Sequence, residues 1–415
     1  MKKLQHIGQN FQQWFRASGG YFVDQAMVSG GNFALTLVLA RQLGVEGFGL
    51  FSLGWMGVLF VNSLQQAFVL TPMLSLHATA DKGYLNALAR IQALLAFAPV
   101  VLVLPALPFF PEADHRLLLL AVAVASFGHQ LYDFSRKALL VRSALRPVQL
   151  LDAAVLLSQL ALVGGLHFAG ILTPITVLFG LGMAFTLCAA LPFFQLLQTC
   201  PATDMKALVG RHWNYGRWLG ATALLQWFSG NFFILTGGAL LGTAAMGAIR
   251  MAQTLTGLLN VLLLAFENFV PVRAANVMAA DGFPAMRRYL GQMSWKGAAL
   301  FLPVLALTAL FAQPIVSLAF GAEYLPFAYV LRGFCLLYAL VFVGTMLRYF
   351  YRTTGDTREI FFAYVISTVV SLFLATPVVS SMGLIGIVAG LLLSQILICG
   401  WLYLRIPTLH IAQTA

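Results

Sequence analysis

The sequence predicts an all-α polytopic membrane protein with about twelve transmembrane helices, in two pseudo-symmetric six-helix lobes. Of its 415 residues, 60% are hydrophobic and only 9% are charged, whereas a soluble domain needs roughly 25% charged residues to cover its surface. The mean hydropathy of +0.87 agrees with a chain whose solvent is mostly lipid. The length is also what about twelve spans of ~20 residues with short connections require.

Twelve apolar runs account for most of the chain, and each is close to the ~20 residues that cross a bilayer as a helix. Helices are expected because a non-helical backbone in lipid would leave its N–H and C=O groups without hydrogen bonds. The runs cover residues 20–40, 49–70, 90–110, 116–135, 148–168, 172–196, 217–240, 246–269, 297–313, 327–348, 360–379 and 383–404. The first run contains Asp24 and lacks a small-residue cleavage site, so it predicts a first span and not a removed signal peptide.

The positive charges predict the orientation of these spans. Most of the 24 Lys and Arg residues fall in connections on one side of the membrane, whereas only Arg41 and Arg116 fall on the other. Because the side rich in Lys and Arg is cytoplasmic, both termini are expected in the cytoplasm. The net charge of +11 follows mostly from this bias, and it requires no nucleic-acid partner.

The two halves of the sequence resemble each other at an offset of about 198 residues. The matched residues are Leu43, Gly44 and Gly49 with Leu241, Gly242 and Gly247, and Asn62, Leu64, Ala67 and Phe68 with Asn260, Leu262, Ala265 and Phe266. Each half also begins with an amphipathic stretch that is expected to lie in the membrane interface. We therefore predict one lobe over residues 1–198 and a second over 199–415, each with an interfacial helix and with a site between them.

Polar residues form stripes within the predicted spans. In the first span, Gln25, Ser29, Asn32 and Thr36 recur every three or four residues and therefore share one helical face. Similar stripes occur in spans 2, 7 and 8. Such stripes either join helices through hydrogen bonds or line a water-filled cavity. Six of the amides in or beside them are our candidate substrate-binding residues: Asn32, Asn62, Gln226, Asn231, Gln253 and Asn260.

Arginines near or within the spans are a second group of candidates. A charged side chain in the bilayer is costly unless it has a partner or water. Arg250 and Arg332 either reach the interface as anchors or present guanidinium groups to an anionic ligand. Arg41, at the outer end of the first span, either joins them or marks the interface.

Four titratable residues are candidates for coupling to a proton or sodium gradient: Asp24, His129, Asp133 and Glu267. For Asp133, the alternative is a structural ion pair with Lys137 or Arg136, one helical turn away. For Asp24, the alternative is a carboxylate that stabilises a helix N-terminus. Glu267 and Asp152 can instead pair with basic loops near the ends of their spans.

The sequence lacks the signatures of an enzyme. It has no GxxxxGK[ST] phosphate loop, no HExxH metal motif and no GxSxG nucleophile motif. Its four cysteines have no metal-binding or redox spacing. We therefore expect neither catalysis nor a bound metal or cofactor.

The segment from Asp24 to Phe33, with Leu39 to Gly44 and Phe48 to Phe51, resembles the first two helices of bacterial polysaccharide exporters. These are the lipid-linked oligosaccharide (O-antigen type) flippases of the superfamily that also contains the MATE multidrug antiporters. The motif covers residues 24–51, whereas the architecture covers the whole chain. Of the arginines, only Arg41 is carried over as part of the motif.

This resemblance implies a two-lobed flippase of the bacterial inner membrane that works by alternating access. The implied substrate is an oligosaccharide on a polyprenyl pyrophosphate, moved to the outer leaflet for lipopolysaccharide or exopolysaccharide biosynthesis. The expected partners are this lipid-linked substrate, the bilayer, and a glycan polymerase or other assembly proteins. A monomer is expected because the two lobes already form a complete site.

Two other functions remain open. A cation-coupled multidrug antiporter needs acidic residues in its cavity to bind cationic drugs, whereas basic residues outweigh acidic residues within these spans. A non-transporting scaffold in a glycan assembly complex gives no reason for matched polar stripes in both halves.

Overall fold

The computed structural model describes residues 2–77, 83–142, 144–198 and 204–414, with side chains described between residues 27 and 406 apart from 261, 265 and 268. The described chain is all-helical and contains no strand, which confirms the predicted fold class. The helices are α1 (Lys2–Gln65), α2 (Thr71–Leu76), α3 (Tyr84–Val103), α4 (Ala113–Val141), α5 (Leu145–Phe168), α6 (Pro174–Leu197), α7 (Met205–Leu241), α8 (Thr243–Gly257), α9 (Asn260–Leu310), α10 (Ala312–Phe320), α11 (Ala328–Thr354) and α12 (Arg358–Thr414).

Within the described ranges, nine helical stretches are long and apolar enough to cross a membrane. Three of them, Met27–Leu76, Leu262–Leu310 and Arg358–Ile406, have 49 or 50 residues, which is enough for two crossings of ~20 residues each. Each of these long stretches contains one glycine with a non-helical backbone: Gly44, Gly282 or Gly383. Divided at these glycines, the nine stretches provide the twelve predicted crossings.

The surface also matches a lipid environment. Large apolar side chains such as Phe168, Phe109 and Leu318 are 91%, 84% and 80% exposed. A soluble monomer rarely exposes apolar surface on this scale. These side chains are therefore expected to contact lipid.

The helices around predicted spans 8 and 9 do not coincide with the apolar runs. The run 246–269 is divided, because α8 ends at Gly257 and α9 begins at Asn260. The predicted connection between spans 8 and 9 is helical, because α9 continues through it, interrupted at Gly282. Hydropathy marks only the lipid-facing part of a helix and does not register helical turns that extend beyond it.

The chain divides into two compact units. The first contains Met1–Leu43 and Gly54–Gly220, and the second contains Gly44–Leu53 and Ala221–Ala415. The division into lobes at residues 198 and 199 stays a prediction.

In the first unit, α4 packs along α6 and α3. A Cβ atom on Gly128 of α4 would overlap the carbonyl oxygen of Gly182 on α6, so the absence of a side chain allows the two backbones to approach closely. The apolar core beside them includes Met73, Leu88 and Phe134, all fully buried.

The first turns of α7 belong to this unit, where they contact the end of the second span. Of the predicted amphipathic face, Leu208 is buried, whereas Trp213 is 57% exposed. The ring of His212 is buried; its Nε2 lies 2.8 Å from the Tyr84 hydroxyl and its Nδ1 lies 3.0 Å from the Phe68 carbonyl oxygen. The amphipathic stretch that begins the first half has side chains outside the described residues.

In the second unit, α11 packs against α9, α12 and α8. The buried Tyr351 of α11 donates a hydrogen bond of 2.6 Å to the Leu402 carbonyl oxygen of α12. This bond gives the Tyr351 hydroxyl a hydrogen-bond partner within an otherwise apolar contact between helices.

The repeated glycines have the same local structure. Gly44 has φ 67° and ψ −179°, and Gly242 has φ 82° and ψ −173°; glycine tolerates this region, whereas other residues are strained in it. Residues 44–53 group with the second unit, and there a Cβ on Gly49 would overlap the Thr243 carbonyl oxygen. A Cβ on Gly247 would likewise overlap the Val45 carbonyl oxygen, so the two contacts are related by the repeat.

Candidate functional site

A polar cavity of about 310 Å³ lies inside the first unit. Its volume is at the lower end of the range for small-molecule pockets. Helices α1, α4, α5 and α6 supply its walls. Its lining residues are Met27, Val28, Asn32, Trp55, Asn62, Gln66, His129, Tyr132, Asp133, Arg136, Lys137, Asp152, Val155, Leu156, Gln159 and Phe185.

One wall of the cavity holds an ion pair between α4 and α5. Arg136 Nε donates to Asp152 Oδ2 at 2.7 Å, and the Tyr132 hydroxyl donates to Asp152 Oδ1 at 2.7 Å. The Asp152 side chain is 0% exposed and that of Arg136 is 15% exposed. Both carboxylate oxygens therefore have a donor, as a buried charge requires. Asp152 thus pairs with a basic residue, as the sequence suggested, but this residue lies in helix α4 and not in a loop.

Two consecutive side-chain hydrogen bonds join α4 to the end of the second span. Lys137 Nζ donates to Gln66 Oε1 at 2.8 Å, and Gln66 Nε2 donates to Asp133 Oδ2 at 2.7 Å. Gln66 thus bridges the two residues that the sequence predicts as an ion pair. Gln66 begins a π-helical turn, Gln66–Leu70. Such turns are frequent at functional sites, and this one carries an amide into the cavity.

Aromatic rings form another part of the wall. The centroids of the Trp55 and Phe185 rings are 6.3 Å apart, and the His129 ring meets the Phe185 ring at 5.1 Å, edge to face. Tyr132 also lies 5.1 Å from Phe185. The cavity therefore combines flat apolar surfaces with hydrogen-bonding groups.

Two buried polar atoms in the cavity have no hydrogen-bond partner among the described residues. They are Asn62 Oδ1 and His129 Nδ1. Buried polar groups usually have a hydrogen-bond partner, so these two atoms are exceptions within the described chain. Asn32 is exposed and also lines the cavity. The cavity brings together four predicted residues, Asn32, Asn62, His129 and Asp133, although their roles stay predictions.

The second unit has a separate polar cluster around Arg250 of α8. Its Nε is fully shielded and has no hydrogen-bond partner in the described part of the chain. Within the same described part, no carboxylate forms an ion pair with Arg250, and its ionisable neighbour is Tyr338 of α11. Thr256 and Asn260 lie near the Tyr338 hydroxyl. A guanidinium in this setting favours an anionic ligand, because a buried charge without a partner is costly.

The other predicted arginines are more accessible. Arg332 is exposed, and its Nε donates to the Ala309 carbonyl oxygen at 3.3 Å. Arg41 is also exposed. Neither lies in the cavity of the first unit or in the cluster around Arg250.

The remaining candidates are distributed over the second unit. Gln226 is exposed, Gln253 is half-buried, and Asn231 Nδ2 donates to the Trp227 carbonyl oxygen within its own helix at 2.8 Å. Glu267 forms an exposed ion pair with Arg352 at 2.8 Å, which is the pairing with a basic residue that the sequence suggested. The side chain of Asp24 lies outside the described residues.

Sequence reasoning left several cavity residues off the list of candidates. Tyr132, Arg136 and Gln159 come from helices whose relative rotation no sequence pattern specifies. Gln66 shares a helical face with Asn62, and this signal could have identified it. No group of three His, Cys, Asp or Glu residues in the described ranges could hold a metal ion.

Comparisons with known proteins address the fold. The MatE family model matches residues 219–376, which is less than half of the chain. A comparison with curated protein sequences gives no match.

Solved structures match over nearly the whole chain. The chain is similar to the lipid II flippase MurJ in an inward closed conformation (TM-score 0.67, 14% identity, 93% of this chain and 87% of that one). It is equally similar to an inward-facing multidrug resistance MATE family transporter of the MOP superfamily (TM-score 0.67, 15% identity, 93% and 95%). A further match is a MOP superfamily transporter from Pyrococcus furiosus whose binding pocket is described as reversed in polarity (TM-score 0.61, 14% identity, 93% and 94%). The chain therefore has the fold of these membrane transporters and flippases.

Proposed function

We propose that this protein translocates a polyprenyl-pyrophosphate-linked oligosaccharide from the cytoplasmic to the outer leaflet by alternating access. The fold is that of a transporter, and one of the similar structures is a lipid II flippase. The resemblance of residues 24–51 to polysaccharide exporters points to a glycan lipid of the O-antigen type. On this proposal the protein lies in the bacterial inner membrane with both termini cytoplasmic, as its Lys and Arg distribution predicts.

The observation that carries this proposal is the guanidinium of Arg250. It is a cation in helix α8 that no carboxylate neutralises in the described ranges, and its Nε is shielded and unpartnered. A pyrophosphate has several anionic oxygens, and the planar fork of a guanidinium matches such oxygens well. Arg250 is therefore the residue that we assign to the pyrophosphate.

Taken by itself, the cavity of the first unit has groups that can bind sugar hydroxyl groups. It offers amides from Asn32, Asn62 and Gln159 beside the rings of Trp55 and Phe185. Sugar hydroxyl groups both donate and accept hydrogen bonds, as amides do. A proton or sodium gradient is the proposed driving force, with Asp133 and His129 as candidate coupling groups.

The experiment is complementation of a deletion strain with Arg250 variants at matched protein level. Arg250→Gln keeps a polar side chain but removes the charge, and Arg250→Lys restores a charge without the planar fork. A hydrogen bond to a charged group contributes about 1.5–3 kcal/mol, so Arg250→Gln should reduce surface polysaccharide by about tenfold or more. Arg250→Lys should retain part of the function.

The control is Arg288→Gln, because Arg288 is exposed and lies outside both polar clusters. It should export polysaccharide at the wild-type rate. The lipid-linked precursor should accumulate on the cytoplasmic leaflet in the deletion strain and with Arg250→Gln. Normal export by Arg250→Gln would remove Arg250 from the substrate site.

A cation-coupled multidrug antiporter is the second candidate. It is favoured by the two largely buried carboxylates of the first cavity, Asp133 and Asp152, which are 8% and 3% exposed, and by the MatE match over residues 219–376. If this is the function, deletion should raise sensitivity to cationic drugs, and Asp133→Asn should fail to restore resistance. Unchanged surface polysaccharide together with raised drug sensitivity would replace the first proposal with this one.

A further inference from the structure

A long apolar groove runs along the outside of the second unit. It has a volume of about 660 Å³ and lies between the part of α9 after Gly282, the second half of α11 and the final turns of α12. Its floor contains Leu290, Phe342 and Met346, all buried, whereas Trp295 and Tyr403 on its rim are 77% and 68% exposed. It is separate from both polar clusters described above.

The dimensions of the groove match one leaflet of a bilayer. Along α9 it extends from Arg287 to Leu302, fifteen residues apart, which is about 22 Å at 1.5 Å per residue. Half of a hydrocarbon core is about 15 Å thick. A groove of this length reaches from the headgroup region to the middle of the membrane. The exposed Trp295 and Tyr403 are residue types that favour the interface.

The groove has a positive charge at one end. Arg287 lines it, is exposed, and forms no ion pair in the part of the chain that the structure describes. Arg348 lies on α11 next to the lining residue Leu347, whereas Arg352 and Arg405 are paired with Glu267 and Glu359 and add little net charge. The positive-inside rule assigns this end to the cytoplasmic leaflet, where anionic lipids attract basic residues close to the membrane surface.

We propose that this groove binds one anionic phospholipid, with an acyl chain along the floor and the phosphate at Arg287. The apolar floor accepts the chain, and the unpaired guanidinium accepts the headgroup charge. Gly291 keeps the entrance open, because nothing lies within 4 Å of where its Cβ would be. This site goes beyond the proposed function, since its ligand is a resident membrane lipid and not the transported substrate.

Native mass spectrometry of the full-length protein in detergent provides the test. Phosphatidylglycerol or phosphatidylcholine is titrated in, and the bound lipid is counted for each variant. An arginine near the membrane surface contributes about 1 kcal/mol to binding an anionic lipid, which corresponds to about a fivefold change in affinity. Wild-type protein should therefore bind phosphatidylglycerol about fivefold more tightly than phosphatidylcholine, and Arg287→Gln should abolish this preference.

Two matched controls separate the groove from general surface effects. Arg288→Gln removes the neighbouring charge, which does not line the groove, and it should retain the preference for phosphatidylglycerol. Gly291→Leu fills the groove and should remove one tightly bound lipid of either type. Gly164→Leu adds the same side chain to α5, where nothing lies within 4 Å of the Cβ position, and it should leave lipid binding unchanged.

Two results would overturn the proposal. Equal losses of phosphatidylglycerol binding in Arg287→Gln and Arg288→Gln would show that only the overall charge of this end matters. Co-purification of a polyprenyl lipid that Gly291→Leu removes, with no loss of phosphatidylglycerol, would assign the groove to the substrate tail. Neither result bears on Arg250, so the flippase proposal is tested independently.

Discussion

The buried ion pair between Arg136 and Asp152 yields a prediction whose magnitude can be worked from the structure. Arg136 Nε and Asp152 Oδ2 are 2.7 Å apart, so at an effective dielectric constant of about 20 their attraction is about 6 kcal/mol. The desolvation of the two ions, several kcal/mol each, offsets most of this attraction. The pair therefore adds little net stability, but the loss of one partner leaves the other charge buried.

Asp152→Asn and Arg136→Gln should each lower the free energy of unfolding by about 3–5 kcal/mol, the usual cost of breaking a buried pair. The double variant should lose less than the sum of the two, with a coupling energy of up to about 3 kcal/mol. Equilibrium unfolding in mixed detergent micelles measures the free energy of unfolding of the wild type, the two single variants and the double variant.

The chain contains a matched control for this experiment. Arg352 and Glu267 lie at nearly the same distance, 2.8 Å, but each side chain is 48% exposed. Exposed pairs contribute about 0–1 kcal/mol, so Arg352→Gln should change stability by less than 1 kcal/mol. The reasoning is refuted if Asp152→Asn costs as little as Arg352→Gln, because burial would then not determine the cost.

Three further substitutions test the packing and the buried hydrogen bonds by thermal unfolding in detergent. Gly49→Ala should destabilise the protein by about 1–3 kcal/mol, because its Cβ would overlap a backbone oxygen. Gly164→Ala is the control and should not destabilise the protein, because its Cβ meets open space. Equal effects of the two substitutions would contradict the close contact at Gly49. Tyr351→Phe removes the hydrogen bond to the Leu402 carbonyl oxygen and should cost about 0.5–1.5 kcal/mol, whereas an unchanged melting temperature would mean that the bond contributes nothing. His212→Phe removes both bonds of the ring, including that to Tyr84, and should cost at least as much as Tyr351→Phe; a smaller loss would contradict the idea that both bonds are formed.

The fold was largely predictable, because hydropathy and helix length are local properties of the sequence. Apolar runs identified the membrane crossings, since lipid selects the side chains on every lipid-facing turn. The same signal did not show that a helix continues through the connection between spans 8 and 9. Helix α9 continues through polar residues such as Arg273 and Arg287. Helical hydrogen bonds join backbone groups, so they form beside polar side chains as readily as beside apolar side chains.

The candidate sites were less predictable, because they depend on contacts between distant helices. Periodicity placed His129 and Asp133 on one face of α4, and both line the cavity. It could not show that Arg136 would turn to Asp152 of α5, or that Gln66 would lie between Asp133 and Lys137. These choices depend on how the helices rotate against one another, and periodicity within one helix carries no information about its neighbour.

The contact of Gly49 with Thr243 and that of Gly247 with Val45 have a consequence for the origin of the chain. In each case a glycine meets the backbone of the residue four positions earlier in the other copy of the motif. Reciprocal contacts of this kind define the isologous interface of a symmetric dimer. If the two halves derive from one duplicated sequence, a half-length ancestor would have formed this contact by pairing with itself, and one mutation would have altered both sides at once. In the present single chain each glycine can be changed alone, so the two sides of the contact can diverge.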